Sequence, residues 1–325
     1  MRNKYTLTLP ALVLALLAPL AVAQPVCERD AAGGAARVRL ARAMAQGRFI
    51  AYQPTSLQIV GGRVHDADPE SIRADLEVLR PRFDTLITYD AVHGAQAIPA
   101  IAAALKFRAL VIGVWDPADP VQLDAALAAA RRYPRLVAGL SLGNESIFAR
   151  RTSFAQVAAA ITAVRQRAPE LALSSTEPFH LYEEPQAAPL LGVMDFLLVN
   201  VHPAFQPWFR GATDASSTQF VVNVVADLAQ HFCGPILVKE TGVPTAPASA
   251  GYTPERQAAF YAELRRRLPA SSARAFAYFS AFDAPWRAQD AGPVAGAVTG
   301  PEEAYWGLYD SERRPKPAAL AVPPL

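Results

Sequence analysis

Eight short hydrophobic runs recur along the chain, separated by segments with helical patterning. Most are continuously apolar in the middle, as expected for β-strands buried on both faces of a parallel sheet. The predicted strands are residues 49–56, 85–90, 109–115, 136–145, 172–179, 196–205, 236–244 and 275–286. The C-terminal end of each run contains polar and aromatic residues. In a barrel of parallel strands the active site lies at this end, so candidate site residues are expected there.

Helix start signals occupy the segments between these strands. Asp68, Asp119 and Ser153 stand at N-cap positions, and the first two precede a proline suited to the first helical turn. The predicted helices then begin at residues 69, 120, 154 and 254. Alternating strands and helices imply parallel strands, and eight such units predict a closed (β/α)8 TIM barrel in a single domain. The alternative is an open doubly wound sheet, although no Gly-rich phosphate loop follows any early strand.

The barrel is assigned to residues 48–317 of the 325-residue chain, close to a single barrel of roughly 250 residues with extensions. The preceding extension, residues 24–47, contains a short predicted helix over 31–46. Residues 318–325 form the C-terminal tail, and the chain from Pro315 onward is rich in proline and is expected to be irregular.

Residues 1–23 have the composition of a secretory signal peptide. A short basic start with Arg2 and Lys4 precedes an apolar run, and Ala21-Val22-Ala23 is a small-x-small cleavage signal. The alternative is a membrane anchor, but the apolar run is shorter than the roughly 20 residues that span a bilayer. The sequence predicts an exported protein, periplasmic or extracellular, without stable membrane insertion after cleavage.

Charge and cysteine content narrow the possible partners. Without Arg2 and Lys4, 29 of the 31 basic residues remain against 29 acidic ones, which favours a neutral substrate and gives no electrostatic footprint for nucleic acid. No Cys/His cluster has zinc-ligand spacing, and the five histidines are scattered, so no metal site is expected. Cys27 and Cys233 both fall at the N-terminal face of the predicted barrel and could form a disulfide; the alternative is two unrelated thiols. A monomer is expected.

Two carboxylates follow predicted strands four and seven. Glu145 comes after Asn144, and Glu240 comes after Lys239, 95 residues further on, or three βα units of about 32 residues each. Strands four and seven lie on opposing sides of an eight-stranded barrel, so these carboxylates can face each other across its mouth. Retaining glycosidases need two carboxyl groups about 5–5.5 Å apart. The alternative for each glutamate is an ion-pair partner at a strand end.

The two glutamates must titrate differently to act as nucleophile and acid/base. Glu240 is predicted to be ionised and nucleophilic, helped by Lys239 or Arg287. Glu145 is predicted to be protonated at rest, because its strand is apolar and Glu240 is negative. Asn144 is expected to bind the sugar 2-hydroxyl.

Six motifs, five of them at or just after these strand ends, resemble those of glycoside hydrolase family 17. In that family a G-N-E motif contains the acid/base and E-T-G-W-P contains the nucleophile, and four further motifs also match. The matching segments here are Gly143–Glu145, Glu240–Pro244, Tyr89-Asp90, Asn200–Phe205, Phe282-Asp283 with Arg287, and Glu303–Leu308. The resemblance covers residues 48–317.

The resemblance implies a retaining (β/α)8 hydrolase that acts on β-1,3-glucan without a cofactor. It implies Glu145 and Glu240 as the catalytic pair. The expected substrate-binding residues are Asn144, Tyr89, Asp90, Asn200, His202, Phe205, Phe282, Trp286, Arg287 and Glu303. The chain departs from the family at Val243, His202 and Ala284, where tryptophan, tyrosine and glutamate are usual, so the sugar subsites are expected to differ.

Aromatic rings near strand ends are candidate sugar platforms, because a flat apolar ring complements the C–H face of a pyranose. The candidates are Trp115, Phe205, Trp208 and Trp286, with packing of the barrel rim as the alternative. His202 is expected to donate a hydrogen bond to sugar or to Glu240.

Two other functions remain open at this stage. A transglycosylase would use the same residues and pass the glycosyl group to a sugar instead of water. A non-catalytic glycan-binding barrel would keep the fold without turnover. Retention of both Glu145 and Glu240 favours an enzyme.

Overall fold

The computed structural model describes residues 34–289 and 300–325, and its centre is a closed barrel of eight parallel strands. The strands, in chain order, are β1 Phe49–Ala51, β2 Thr85–Ile87, β3 Ala109–Val114, β4 Val137–Asn144, β5 Leu173–Pro178, β6 Leu197–Asn200, β7 Ile236–Glu240 and β8 Arg274–Tyr278. Each pairs with its neighbours in the chain, and β8 pairs with β1. The predicted (β/α)8 barrel is confirmed, and an open sheet is excluded.

Helices connect and cover the strands. They are α1 Gly34–Gln46, α2 Pro69–Leu79, α3 Ile98–Ala104, α4 Pro120–Arg132, α5 Phe154–Arg167, α6 Phe179–Tyr182, α7 Ala188–Val193, α8 Asp214–His231, α9 Pro254–Arg267, α10 Trp286–Gln289 and α11 Pro317–Leu320. The side chains of Asp68, Asp119 and Ser153 accept backbone N–H bonds as the predicted N-caps of α2, α4 and α5. A hairpin of Gln58–Val60 and Arg63–His65, between β1 and α2, was not predicted.

Several strands are shorter than their hydrophobic runs. β6 ends at Asn200 and β8 at Tyr278, although Val201, Phe279 and Ala281 beyond them are buried. The chain continues as loops that pack over the top of the barrel. The apolar pattern therefore extends beyond the last residue that is hydrogen-bonded in the sheet. Hydrophobicity therefore indicates burial here and does not locate the strand end.

Helix α1 closes the N-terminal end of the barrel. Its Leu40 and Met44 join a buried cluster with interior side chains that include Phe49 and Phe196. The remaining core fills the layer between strands and outer helices. The predicted N-terminal helix is confirmed, and its apolar face has the barrel floor as its partner.

The C-terminal segment differs from its prediction as an irregular tail. Pro317–Leu320 form the helical turn α11, and Ala318, Ala319 and Val322 are buried. The final residue, Leu325, donates its backbone N–H to the carbonyl of Pro81. Proline at the first helical position starts this turn instead of preventing it.

A buried ionic network links the first βα unit to the closing segment. Asp75 is fully buried and accepts hydrogen bonds from the Tyr52 hydroxyl (2.9 Å) and from the N–H and hydroxyl of Thr55 (2.9 and 2.7 Å). Arg313 Nε lies 2.7 Å from Asp75 Oδ1. Burial raises the pKa of Asp75, so its charge depends on these donors.

Arg313→Met is expected to lower the free energy of unfolding by about 2–3 kcal/mol, because it leaves the Asp75 carboxylate buried without a cation. Equilibrium urea unfolding measures the change. The matched control is Arg314→Met, which removes a largely exposed arginine from its pair with Asp310 and should leave the midpoint nearly unchanged. Equal effects of the two variants would contradict this account of the network.

The predicted signal peptide and Cys27 lie outside the described residues, so cleavage, export and the Cys27–Cys233 pairing stay predictions. Within residues 34–289 and 300–325, no helix has both the length and the apolar character to cross a membrane.

Candidate active site

The carboxyl ends of β4, β6 and β7 bring the predicted catalytic residues to one mouth. In the strand register Asn200 on β6 is paired with Glu240 on β7 and with Pro178 on β5, while Asn144 on β4 is paired with Thr176 on β5. The register shifts at both Asn144 and Asn200, where the strands stop following the regular ladder. These shifts occur where side chains turn inward to the mouth.

Glu145 lies directly after β4 in a strained backbone conformation. Its φ is +49°, and Gly143 two residues earlier has φ +91°. Left-handed φ in a non-glycine residue is uncommon and is concentrated at functional sites. The backbone N–H of Glu145 donates to Thr176 O at 2.8 Å, which fixes the turn across the neighbouring strand.

The Glu145 carboxyl group is held by Asn200, whose Nδ2 donates to Glu145 Oε1 at 2.8 Å. Burial, followed by the negative charge of Glu240, raises the pKa of Glu145. The bond from Asn200 and the charges of His202 and Lys239 act in the opposite direction but do not cancel the rise. A raised pKa is the property that a general acid requires.

Glu240 is buried at the end of β7 and has cations beside it. Burial alone would raise the pKa of Glu240, but the His202 hydrogen bond and the charges of Lys239, His202 and Arg287 outweigh it and hold the pKa below its usual range. His202 Nε2 lies 3.3 Å from Glu240 Oε2. Glu240 Oε1 has no hydrogen-bond partner among the described residues, and Lys239 Nζ lies 3.7 Å from it.

The pKa values of Glu145 and Glu240 are therefore shifted in opposite directions, and the charge of Glu240 contributes to the rise at Glu145. Two carboxyl groups whose environments separate their pKa values can act as an acid and a nucleophile at the same pH. The arrangement agrees with the predicted protonated Glu145 and ionised Glu240.

The Lys239 side chain lies between Asn144, Tyr89 and Glu240 at the base of the site. Its fully buried Nζ donates to Asn144 Oδ1 and lies 4.1 Å from the centre of the Tyr89 ring. Burial lowers the pKa of Lys239 to about 8 against the raising effect of Glu240 and Glu145. Because Asn144 Oδ1 accepts from Lys239, the Asn144 amide N–H groups are the part left for a sugar hydroxyl.

Lys239→Met is expected to lower kcat/KM by about 10- to 100-fold, because it removes buried positive charge beside the carboxylate that must be ionised. The pKa of Glu240 should rise, so the acidic limb of the pH–rate profile should move to higher pH. The control is Lys316→Met, which removes a mostly buried lysine paired with Asp283 instead. An acidic limb at the same pH in wild type and Lys239→Met would contradict the role of Lys239.

Other predicted substrate-binding residues lie around this pair. Tyr89 is buried and its hydroxyl has no hydrogen-bond partner among the described residues. Burial, followed by the charge of Glu240, raises the pKa of Tyr89 well above the usual value.

Arg287 lies on another side of the site. Its Nη2 donates to Gln53 Oε1 at 2.5 Å, and its guanidinium lies 5.0 Å from the Phe279 ring centre. Burial raises the pKa of Glu303, with Arg287 and His202 opposing. Trp286 is half-buried and lies beside Arg287.

Asp90 sits at the end of β2 and is turned toward its own loop. Its Oδ1 accepts from the N–H groups of Ala91 (2.7 Å) and Val92 (3.1 Å). These bonds fix the loop after β2, and the other carboxylate oxygen remains for a ligand.

Phe205 is the most exposed of the predicted aromatic platforms, with 48% of its surface accessible. Its ring lies 5.2 Å from that of His202 and 5.5 Å from that of Trp306. Trp115 is 39% exposed and lies 4.9 Å below the Arg151 guanidinium, whose Nη2 donates to Asn144 O. Both rings can offer an apolar face at the rim of the mouth.

Phe282 is mostly buried at the wall of the site. It is 4% exposed and packs against Tyr52 (6.2 Å) and Tyr309 (5.6 Å). It also lines a small cavity with Trp286 and Arg287, so its contact with sugar stays a prediction. Val243, at the position where the family has tryptophan, is also fully buried, and its N–H donates to the Tyr278 hydroxyl.

One important residue was not among the predicted site residues. Trp306 is buried against His202 (5.3 Å) and Phe279 (5.3 Å) and so fixes the imidazole that contacts Glu240.

Glu177 has contacts that its sequence position did not indicate. Its place at a strand end predicts a side chain that could bind sugar hydroxyl groups. In the structure Glu177, at the end of β5, accepts the N–H groups of Ile147 (2.9 Å) and Phe148 (3.1 Å), which belong to the loop after Glu145.

Within the described ranges, no three His, Cys, Asp or Glu side chains converge to hold a metal ion. The polar groups at the mouth are instead hydrogen-bond donors, acceptors and two complementary carboxyl groups. Such a set can bind hydroxyl groups and transfer protons.

Comparison with known proteins also indicates a glycoside hydrolase. The family model described as the BtgE/BtgC glycoside hydrolase domain matches residues 50–307. No curated protein sequence matches the chain.

Solved glycosidase structures share the fold. A glycoside hydrolase family 17 β-1,3-glucanosyltransferase from Rhizomucor miehei is 20% identical with a TM-score of 0.62, over 83% of this chain and 95% of that one. Its active-site mutant in complex with laminaritriose is 21% identical with a TM-score of 0.64, over 85% and 97%. An endo-laminarinase from Formosa Hel1_33_131 is 17% identical with a TM-score of 0.65, over 81% and 83%.

The match over residues 50–307 includes Glu145, Glu240 and every strand of the barrel but the first residue of β1. The family 17 resemblance seen in the sequence motifs is confirmed at the level of family and fold. The chain belongs to the BtgE/BtgC glycoside hydrolase domain family and is a family 17-like glycosidase on a (β/α)8 barrel.

Proposed function

We propose that the protein is a retaining glycoside hydrolase that cleaves β-1,3-linked glucan by double displacement. The observation that supports this most strongly is the pairing of Glu145 and Glu240 at one mouth, with a raised pKa on the first and a lowered pKa on the second. Asn200 contacts one oxygen of Glu145, and His202 contacts one oxygen of Glu240. Different residues therefore position the two carboxyl groups.

In the first displacement, Glu240 Oε1 attacks the anomeric carbon of the bound sugar. The bond from that carbon to the leaving glycosidic oxygen breaks, and this oxygen takes the proton of Glu145. In the second displacement, the Glu145 carboxylate takes a proton from water while the water oxygen bonds to the anomeric carbon. The ester bond breaks and its electron pair returns to Glu240, so the configuration is retained.

The β-1,3-glucan assignment is supported by the structural neighbours and the motifs. One neighbour is a β-1,3-glucanosyltransferase, one is its complex with laminaritriose, and one is an endo-laminarinase. The exposed Phe205 ring suits the C–H face of an uncharged pyranose. Cleavage of the predicted leader at residues 1–23 would bring this activity to the periplasm or the cell exterior.

The test is incubation with laminarihexaose, with proton NMR of the first product anomer and mass spectrometry of product lengths. A β anomer formed first supports retention, and an α anomer contradicts it. Products shorter than the substrate support hydrolysis, whereas products longer than the substrate show transfer to a sugar acceptor. Parallel incubations with β-1,4- and β-1,6-glucan oligosaccharides test the linkage.

A further inference from the structure

An exposed tryptophan in the loop before α8 lies beside an open groove on the outer face of that helix. Trp208 is 41% exposed, and its ring packs edge-on against Phe220 of α8 at 5.3 Å. The groove has a volume of about 530 Å³, within the range of small-ligand sites. It is lined by Trp208, Ser216, Gln219, Phe220, Asn223 and Arg267 among others.

A fixed set of polar groups lies next to this ring. Arg267 Nη1 donates to Gln219 Oε1 at 2.7 Å, and Gln219 Nε2 donates to Asn223 Oδ1 at 2.8 Å. The Asn223 side chain is exposed, so its remaining amide N–H groups can donate to a ligand oxygen.

Arg267, the cation that lines the groove, is already paired. Its Nε lies 2.5 Å from Oε1 of Glu263, a carboxylate that also pairs with Arg266. An anionic ligand would have to compete with this carboxylate for the guanidinium. A neutral ligand with many hydroxyl groups meets no such competition and can use the aromatic face and the amide together.

The geometry points to a second glycan-binding site in this groove, which holds a segment of β-glucan remote from the bond being cleaved. The inference depends on the proposed function for the class of glycan. A pyranose ring would pack on the exposed face of Trp208, and its hydroxyl groups would bind Asn223 and Gln219.

The position of Trp208 in its loop supports this occupant. Phe205 and Trp208 are three residues apart after β6, but Phe205 packs toward His202 and Trp306 whereas Trp208 packs toward Phe220 on α8. One loop therefore presents one aromatic ring to the mouth and another to the outer groove. In this arrangement a long glucan chain would extend from the mouth to the groove, whereas a trisaccharide would occupy the mouth alone.

The test measures binding to the Glu240→Ala protein, so that turnover does not interfere. Affinity gel electrophoresis with laminarin, mixed-linkage barley glucan and pullulan compares this protein with versions that also contain Trp208→Ala or Trp208→Tyr. The control is Val121→Ala, which truncates an apolar residue on α4 that is 66% exposed. Circular dichroism melting of each variant checks that the fold is kept.

Trp208→Ala is expected to weaken binding of at least one β-glucan about tenfold, Trp208→Tyr to weaken it less, and Val121→Ala to leave it unchanged. Trp208→Ala should also raise KM of the active enzyme on laminarin more than on laminaritriose. Unchanged binding of every glucan after Trp208→Ala, or no binding by the parent protein, would overturn the inference. Trp208-dependent binding of a glucan that the active enzyme does not cleave would keep the second site and refute the proposed substrate.

Discussion

Glu240→Ala is expected to lower kcat/KM on laminarihexaose by about 10⁴-fold or more, since the covalent intermediate cannot form without its nucleophile. Sodium azide should restore part of the turnover of an activated aryl β-glycoside. Azide would attack the anomeric carbon from the side where Glu240 normally approaches, so the product should be the α-glycosyl azide. Product configuration is measured by proton NMR.

The control for this variant is Glu77→Ala, which truncates an exposed glutamate on α2. It should keep wild-type kinetics. Activity of Glu240→Ala within tenfold of wild type, or a β-glycosyl azide as its product, would show that another group is the nucleophile. Such a result would refute the assignment of Glu240 while leaving the fold and family unchanged.

Glu145→Ala is expected to give a different kinetic pattern. Hydrolysis of laminarihexaose should fall by about 10³-fold, because the leaving sugar oxygen needs a proton. A dinitrophenyl β-laminaribioside should be affected far less in its first step, because its leaving group departs without protonation. Azide should then attack the accumulated glycosyl-enzyme and give the β-glycosyl azide, the opposite configuration from that of Glu240→Ala.

The pH dependence of Glu145→Ala provides an independent check. Glu145 must be protonated to act as an acid, so wild-type activity should fall as pH rises through its raised pKa. That alkaline limb should disappear in Glu145→Ala when the activated substrate is used. Persistence of the same limb would indicate that another group supplies the proton.

Glu177 is the residue that most needs to be distinguished from Glu145. Burial raises the pKa of Glu177 to about 7, which by itself would suit a general acid. Its two oxygens, however, accept the N–H groups of Ile147 and Phe148, so the side chain is engaged with the loop that follows Glu145. Glu177→Gln should therefore lower the rate through the position of Glu145, and azide should not rescue it.

Much of the fold could be predicted because its signals are local. The N-caps at Asp68, Asp119 and Ser153 depend on the few residues that follow each of them, and the alternation of buried strands and helices depends on periodicity. The C-terminal turn at Pro317 was missed because proline is common in irregular segments and also at helix starts. Only packing against the barrel distinguishes those two cases.

The sequence by itself determined the two glutamates of the mouth. Their spacing of three βα units and their strand-end positions require only that the chain form a barrel. It also predicted His202 as a donor to sugar or to Glu240, and the 3.3 Å contact with Glu240 is consistent with the second of these.

Only the tertiary structure decided which neighbours act on those glutamates. Asn200 donates to Glu145, Lys239 donates to Asn144, Trp306 packs on His202, and Phe282 packs on Tyr52 and Tyr309. These contacts join residues far apart in the chain, and each depends on the direction in which a side chain leaves its strand or loop. The sequence pattern indicates which residue types meet at the mouth. The directions of their side chains are set by the closure of the barrel and the packing of its loops.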